Sequence, residues 1–182
     1  RTWWWTVKTS AAESRSLSAG WNLISTPTVL ANNSWGNVTG LGDGLDYCIA
    51  YNYDPAVGKW VQMKPNTKLN PLEAIFVKLN SPDVMEFVRT TNPLTVPPAR
   101  ELSKGWNLIG LNDMNEVKVD VALRSIEVDS NGERGYISVY SPAYNSAEWT
   151  YTIGESPVPS MKPYEGYWVF MEHSDTLAGR II

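Results

Sequence analysis

Leu17-Ser-Ala-Gly-Trp-Asn-Leu-Ile24 recurs as Leu102-Ser-Lys-Gly-Trp-Asn-Leu-Ile109, with seven of eight positions identical at an offset of 85 residues (102 − 17). Recurrence at this fidelity marks a duplicated structural unit. In each copy the glycine opens a strand, with Trp and Leu on one face and Asn and Ile on the other. A tryptophan with two branched aliphatics on one strand reads as core packing rather than ligand contact. Trp21 and Trp106 are therefore expected inside, as are Trp60 and Trp149.

Working outward, the two halves keep step. Tyr53-Asp-Pro-Ala56 matches Tyr140-Ser-Pro-Ala143 at 87 (140 − 53), and Trp60 matches Trp149 at 89 (149 − 60). Asn70-Pro-Leu-Glu-Ala-Ile-Phe-Val77 matches Lys162-Pro-Tyr-Glu-Gly-Tyr-Trp-Val169 at 92 (162 − 70), and the stretch from Asp83 to Phe87 matches that from Asp175 to Gly179 at the same offset (175 − 83). An offset that grows in steps places the insertions in loops and keeps the strands. Apolar β-forming runs lie at 47–53 and 59–63 around an Asp54-Pro-Ala-Val-Gly58 turn, at 72–79, at 83–88, and at 136–140 after the Asn131-Gly132 turn signal. Only 112–128 looks helical, with Val119, Ala122, Leu123 and Ile126 on one side. The expected fold is mainly β: two tandem homologous sandwich- or barrel-like units, residues 17–96 and 97–182, with one short helix in the second. Residues 1–16 form an N-terminal strand and a polar linker, Thr9 to Ser16.

The composition suits such a fold. At 182 residues and 43% hydrophobic the chain is globular, and it carries nine Trp and nine Tyr against three Phe. Those two residues bury a large body and keep a polar handle, as thin β structures require. Fifteen basic and 19 acidic residues, spread without runs, give −4, which excludes a basic nucleic-acid face. The single cysteine, Cys48, lies in an apolar run and reads as a buried inert thiol. No apolar run has transmembrane length. The chain begins at Arg1 without a signal peptide and reads as a processed or excised piece of a longer protein.

Each half thus shows Leu-x-x-Gly-Trp-Asn-Leu-Ile, then Tyr-x-x-Pro-Ala before a strand Trp, then Pro-x-Glu-[Ala/Gly]-[Ile/Tyr]-[Phe/Trp]-Val. From Leu17 to Ile182 this resembles the Gly-Trp-Asn-Leu-Ile-Ser repeats of secreted archaeal and bacterial cell-surface proteins, including surface-layer proteins. Tyr164-Glu-Gly-Tyr-Trp-Val-Phe170 carries the family's glycine-tyrosine-tryptophan signature. The first copy departs from it at Ala74, Ile75 and Phe76, and has Ser25-Thr-Pro where the family has Ser-Leu-Pro. The resemblance implies a non-catalytic structural module, outside the cell or on its surface, with a surface-layer, spacer or assembly role. It implies no activity for any residue.

Chemistry is sparse. His173 is the only histidine, so a histidine cluster for zinc is impossible. Glu73 and Glu165 recur after a proline at equivalent places, which argues for accepting backbone hydrogen bonds at a turn. No phosphate-binding glycine loop and no Gly-x-Ser-x-Gly elbow occurs. No enzyme activity, cofactor or metal is expected; Asp43 and Asp46 are too few carboxylates for a calcium cage. Asn32 and Asn37 stand in glycosylation sequons. The Trp3-Trp4-Trp5 arm with Val7 reads as the end of a preceding module, a strand paired within the chain, or a strand donated to a neighbour in a filament. The alternative to a structural role is a carbohydrate-binding or adhesion module. For it, Trp35, Tyr144, Tyr151 and Tyr164 are the candidate stacking rings. Expected partners are neighbouring modules of a longer surface protein, copies of the same chain, or glycans. The discriminating observation is which aromatic rings are exposed.

Overall fold

The computed structural model describes residues 12–38, 48–92, 94–128, 131–133, 135–142 and 147–182. The fold is mainly β. The first half contains β1 (Ala12–Leu17), β2 (Gly20–Ser25), the single-turn helix α1 (Trp35–Val38), β3 (Cys48–Asp54), β4 (Lys59–Gln62), β5 (Ala74–Leu79) and β6 (Asp83–Val88). The second contains β7 (Ala99–Leu102), β8 (Gly105–Gly110), β9 (Val117–Lys118), α2 (Val119–Ala122), β10 (Tyr136–Ser141), β11 (Trp149–Thr152), β12 (Ser160–Met161), β13 (Gly166–Met171) and β14 (Asp175–Ala178). Each half forms an antiparallel four-stranded sheet of the same design, β2-β5-β3-β4 and β8-β13-β10-β11, with a two-stranded ribbon, β1-β6 and β7-β14. The registers coincide. Gly20 sits opposite Leu79 as Gly105 sits opposite Met171, and Leu17 opposite Asp83 as Leu102 opposite Asp175.

The repeated motif locks the turn between ribbon and sheet. Gly20 and Gly105 adopt φ of 90° and 92°, a conformation that costs a side-chain-bearing residue. Asn22, fully buried, accepts from the Ser18 N–H at 3.0 Å and donates to the Ser18 and Gly20 carbonyls at 2.8 and 3.2 Å. Asn107 repeats this with Ser103 and Gly105 at 2.9, 2.6 and 2.9 Å. A buried amide with three partners is satisfied, whereas an alanine there strands backbone groups at about 1–3 kcal/mol each. The asparagine therefore faces inward, and the tryptophan one residue earlier faces out.

Three expectations are corrected. Residues 12–16 are not linker: β1 pairs along all of β6, and Leu17 is its one core residue. Its Ser, Glu and Arg side chains hide the strand because pairing partners, not composition, place it. The helical stretch at 112–128 breaks into α2 and a 3₁₀ turn at Arg124–Ile126, although Val119, Leu123 and Ile126 are buried as the spacing indicates. Trp149 does not occupy the place of Trp60, nor Tyr140 that of Tyr53. Tyr51 lies opposite Phe76 and Gln62, and Tyr140 opposite Trp168 and Thr150, so Trp149 matches Val61. A slip of one residue turns a side chain to the other face of a sheet, and Trp149 packs inward against Tyr167.

The two halves exchange core residues. Tyr164, just before β13, is buried in the first unit's core beside Phe87, while Leu72, just before β5, is buried in the second unit's core. These equivalent positions both have φ of 68°. Each hands its carbonyl to the other unit: Ser25 N–H donates to Tyr164 at 2.9 Å and Gly110 N–H to Leu72 at 3.1 Å. Ile24 bridges to Glu165, and Ile109 to Glu73. Equivalent arginines hold the exchanged residues, since Arg15 lies 4.2 Å over the Tyr164 ring and Arg100 donates to the Leu72 carbonyl at 2.8 Å. The contacts thus repeat with the roles of the halves reversed, and the positive-φ strain of about 1–3 kcal/mol per site is held by packing. Neither unit's core is complete without the other.

Candidate functional site

Strand alternation puts one face of each four-stranded sheet on its core and leaves the other outside. On the outer face of the first sheet stand Trp21, Phe76, Tyr51, Tyr53 and Trp60; on that of the second, Trp106, Trp168 and Phe170. The sheets meet over a small buried cluster of Leu23, Ala74 and Leu108. Around it the rings form one continuous array. Trp168 of the second unit reaches Tyr53, Trp60 and Phe76 of the first at centroid distances of 5.0, 5.8 and 6.5 Å. Trp21 touches Tyr51 and Phe76 at 6.2 and 6.3 Å, and Trp106 touches Phe170 at 5.1 Å. Each edge-to-face contact contributes about 0.5–1.5 kcal/mol, which holds the rings in place before any ligand arrives.

The expected burial of these tryptophans is overturned. Trp21, Trp60 and Trp106 are 40%, 49% and 43% exposed. Trp and Leu do share one face of the strand, but the inward face belongs to Asn and Ile. Trp21, Tyr51, Trp60 and Phe76 line an open trough. Beyond the rings the outer face carries hydroxyl and amide groups, Ser138, Tyr140, Thr150 and Thr152 in the second sheet and Gln62 in the first, together with the exposed aliphatic Ile49 opposite Lys78. Among the described residues, charged side chains of both signs reach it. The Lys78 ammonium lies 5.8 Å from the Trp21 ring, and Glu148 accepts from the Tyr140 hydroxyl at 2.9 Å.

The rings singled out from sequence lie elsewhere. Trp35, Tyr151 and Tyr164 are buried core residues and present no face to a ligand. Tyr144, the arm residues Trp3, Trp4, Trp5 and Val7, and Asp43 and Asp46 lie outside the described residues. Asn32, just before α1, and Asn37, within it, are exposed, with Asn32 Oδ1 accepting from the Ser34 hydroxyl at 2.7 Å and Asn37 Nδ2 donating to that hydroxyl at 2.6 Å. Glu73 caps a turn as expected, accepting from the Asn70 N–H at 3.1 Å. In the second copy Tyr167, at the place of Ile75, inserts its hydroxyl into that link. Lys162 N–H donates to it at 2.6 Å, and it donates to Glu165 at 3.1 Å. His173 pairs with Glu133 at 3.2 Å. The signal that would have found the outer face is the Asn two residues after a turn Gly, because its need for the turn's backbone groups fixes the inward side.

Cys48 is buried, and desolvation, with the Asp83 carboxylate second, pushes its thiol from 9.0 up to about 11. A thiol so held is not a nucleophile at neutral pH. In the unfolded chain it ionises from about pH 8.5–9, earlier than in the folded one. Stability is therefore unaffected below that pH and falls through the window up to about 11, by about 2 kcal/mol. Urea unfolding of the protein and of Cys48→Ala should show their stability difference shifting by that amount between pH 8.5 and 11; parallel pH curves would refute it. Comparison with known proteins finds no matching family model, no matching curated protein and no matching solved structure.

Proposed function

We propose that the chain is a non-catalytic module of an extracellular or cell-surface protein that binds a glycan across its outer aromatic face. The observation that carries this reading is the exposure of Trp21, Trp60 and Trp106 on one ring array. Burying such rings against the protein would have been the cheaper arrangement, and large contiguous exposed apolar patches mark interaction surfaces. A sugar has an apolar C–H face and a rim of hydroxyls. Planar rings beside Ser, Thr, Tyr and Gln match both parts. The exchanged core supports a rigid carrier for that face, in keeping with a spacer or surface-layer setting.

Pull-down on insoluble polysaccharides together with a glycan array tests the reading. The protein is expected to bind at least one of them, and Trp60→Ala to weaken binding at least about tenfold while the fold is kept. If every glycan is ignored, or the variant binds like the parent, the aromatic face is not a sugar site. A purely structural module, or a filament subunit joined through the Trp3-Trp4-Trp5 arm, would then stand in its place.

A further inference from the structure

The geometry points to a more specific ligand: an uncharged polysaccharide chain that crosses from one unit to the other, seated on three tryptophans in succession. This rests on the glycan-binding reading. Along the array Trp21 touches Phe76, Phe76 and Trp168 both touch Trp60 and, at 6.5 Å, each other, and Trp168 touches Trp106; the contacts Trp21–Phe76, Phe76–Trp60, Trp60–Trp168 and Trp168–Trp106 span 6.3, 5.3, 5.8 and 6.3 Å. Successive rings stand nearly perpendicular, at 82°, 83°, 85° and 85°. Exposure alternates in step: Trp21, Trp60 and Trp106 are exposed, and Phe76 and Trp168 between them are half-buried. Phe76 and Trp168 thus form a half-buried floor between the exposed indoles, with Trp60 against both.

Repetition of the platform is what selects a polymer. One sugar can stack on one indole, so three spaced indoles have a use only for a ligand that itself repeats, and each added contact becomes intramolecular once the first is made. The array is also indifferent to the boundary between the units, because Trp168 and Trp106 belong to the second and the others to the first. Charge settles the class of chain. Among the described residues, the Lys78 ammonium against the Trp21 ring and the Glu148 carboxylate that accepts from Tyr140 are of opposite sign, so these contacts give a polyanion no one-signed patch.

Calorimetric titration with neutral β-1,4-linked oligosaccharides, from disaccharide to hexasaccharide, tests this on the full chain, beside a polyuronate at low and high salt. Affinity is expected to climb at least about tenfold along the series. Trp106→Ala, at the second-unit end of the array, should remove most of that gain, with circular dichroism confirming the fold. Equal affinity for short and long sugars, or salt-sensitive preference for the polyuronate, overturns the extended neutral ligand while the glycan-binding reading stands. If no sugar of any length or charge binds, that reading itself fails.

Discussion

Tyr164→Ala is expected to lower the unfolding free energy by about 3–5 kcal/mol, the range for removing a large aromatic from a core, and to loosen the unit to which Tyr164 does not belong. The ring is 4% exposed, packs 5.0 Å from Phe87 and lies beneath Arg15. Deleting it opens a cavity between β1, β2 and β6. Hydrogen exchange should therefore show lost protection in the first unit's ribbon, around Met85 and Phe87, even though the substituted residue precedes a strand of the second. Loss confined to β13 and its neighbours would sink the exchanged-core description. Leu72→Ala is the mirror experiment, at about 2–5 kcal/mol, with the loss appearing around Leu102 and Leu123 of the second unit. Backbone conformation gives an independent check. Because φ is 68° at both sites, Tyr164→Gly should be more stable than Tyr164→Ala by about 1 kcal/mol, the reverse of the usual order inside structured segments.

What could be read from the sequence was what repeats. The Leu-Ser-x-Gly-Trp-Asn-Leu-Ile copies and the Asp83 and Asp175 strands fall at matching ladder positions, because insertions between strands do not alter pairing inside them. Orientation was harder. Trp21 and Leu23 do share a face, yet that face lies outside at Trp21 and between the two sheets at Leu23, so hydrophobicity pointed the wrong way. Matching Trp60 with Trp149 failed for a different reason: the loop between β10 and β11 shifts the pairing by one, and identical residue types then look in opposite directions. The exchange of Leu72 and Tyr164 left no periodic trace at all. Both sit in turns, and the only hint is that each follows a proline and precedes the repeated glutamate. The aromatic site inherits these difficulties, since it is assembled from strands of both halves and exists only once they interlock.

The interlock itself makes one methyl group decisive. Where the halves meet, Ser25 of the first faces Gly110, its equivalent in the second. A Cβ on Gly110 would lie 2.4 Å from Ser25 Cβ and 2.7 Å from the Glu73 carbonyl oxygen. Real Cβ atoms do not tolerate such approaches, so two side chains cannot occupy both positions, and the chain keeps only the serine, whose hydroxyl donates to the Glu165 carbonyl at 2.7 Å. The same asymmetry separates Ala74 from Gly166, where an added Cβ would meet Leu23 Cγ at 2.6 Å and Ala74 Cβ at 2.8 Å. Gly110→Ala should accordingly cost about 2–3 kcal/mol by overpacking, read as a lower urea midpoint with a single transition retained. Ser25→Gly alone should cost about 1 kcal/mol for its hydrogen bond. Combined, the two should cost less than their sum, because removing the serine side chain takes away one of the two obstacles and leaves the Glu73 carbonyl. Simple additivity would mean that Ser25 and Gly110 do not meet, and the reversed-role contact between the halves would have to be abandoned.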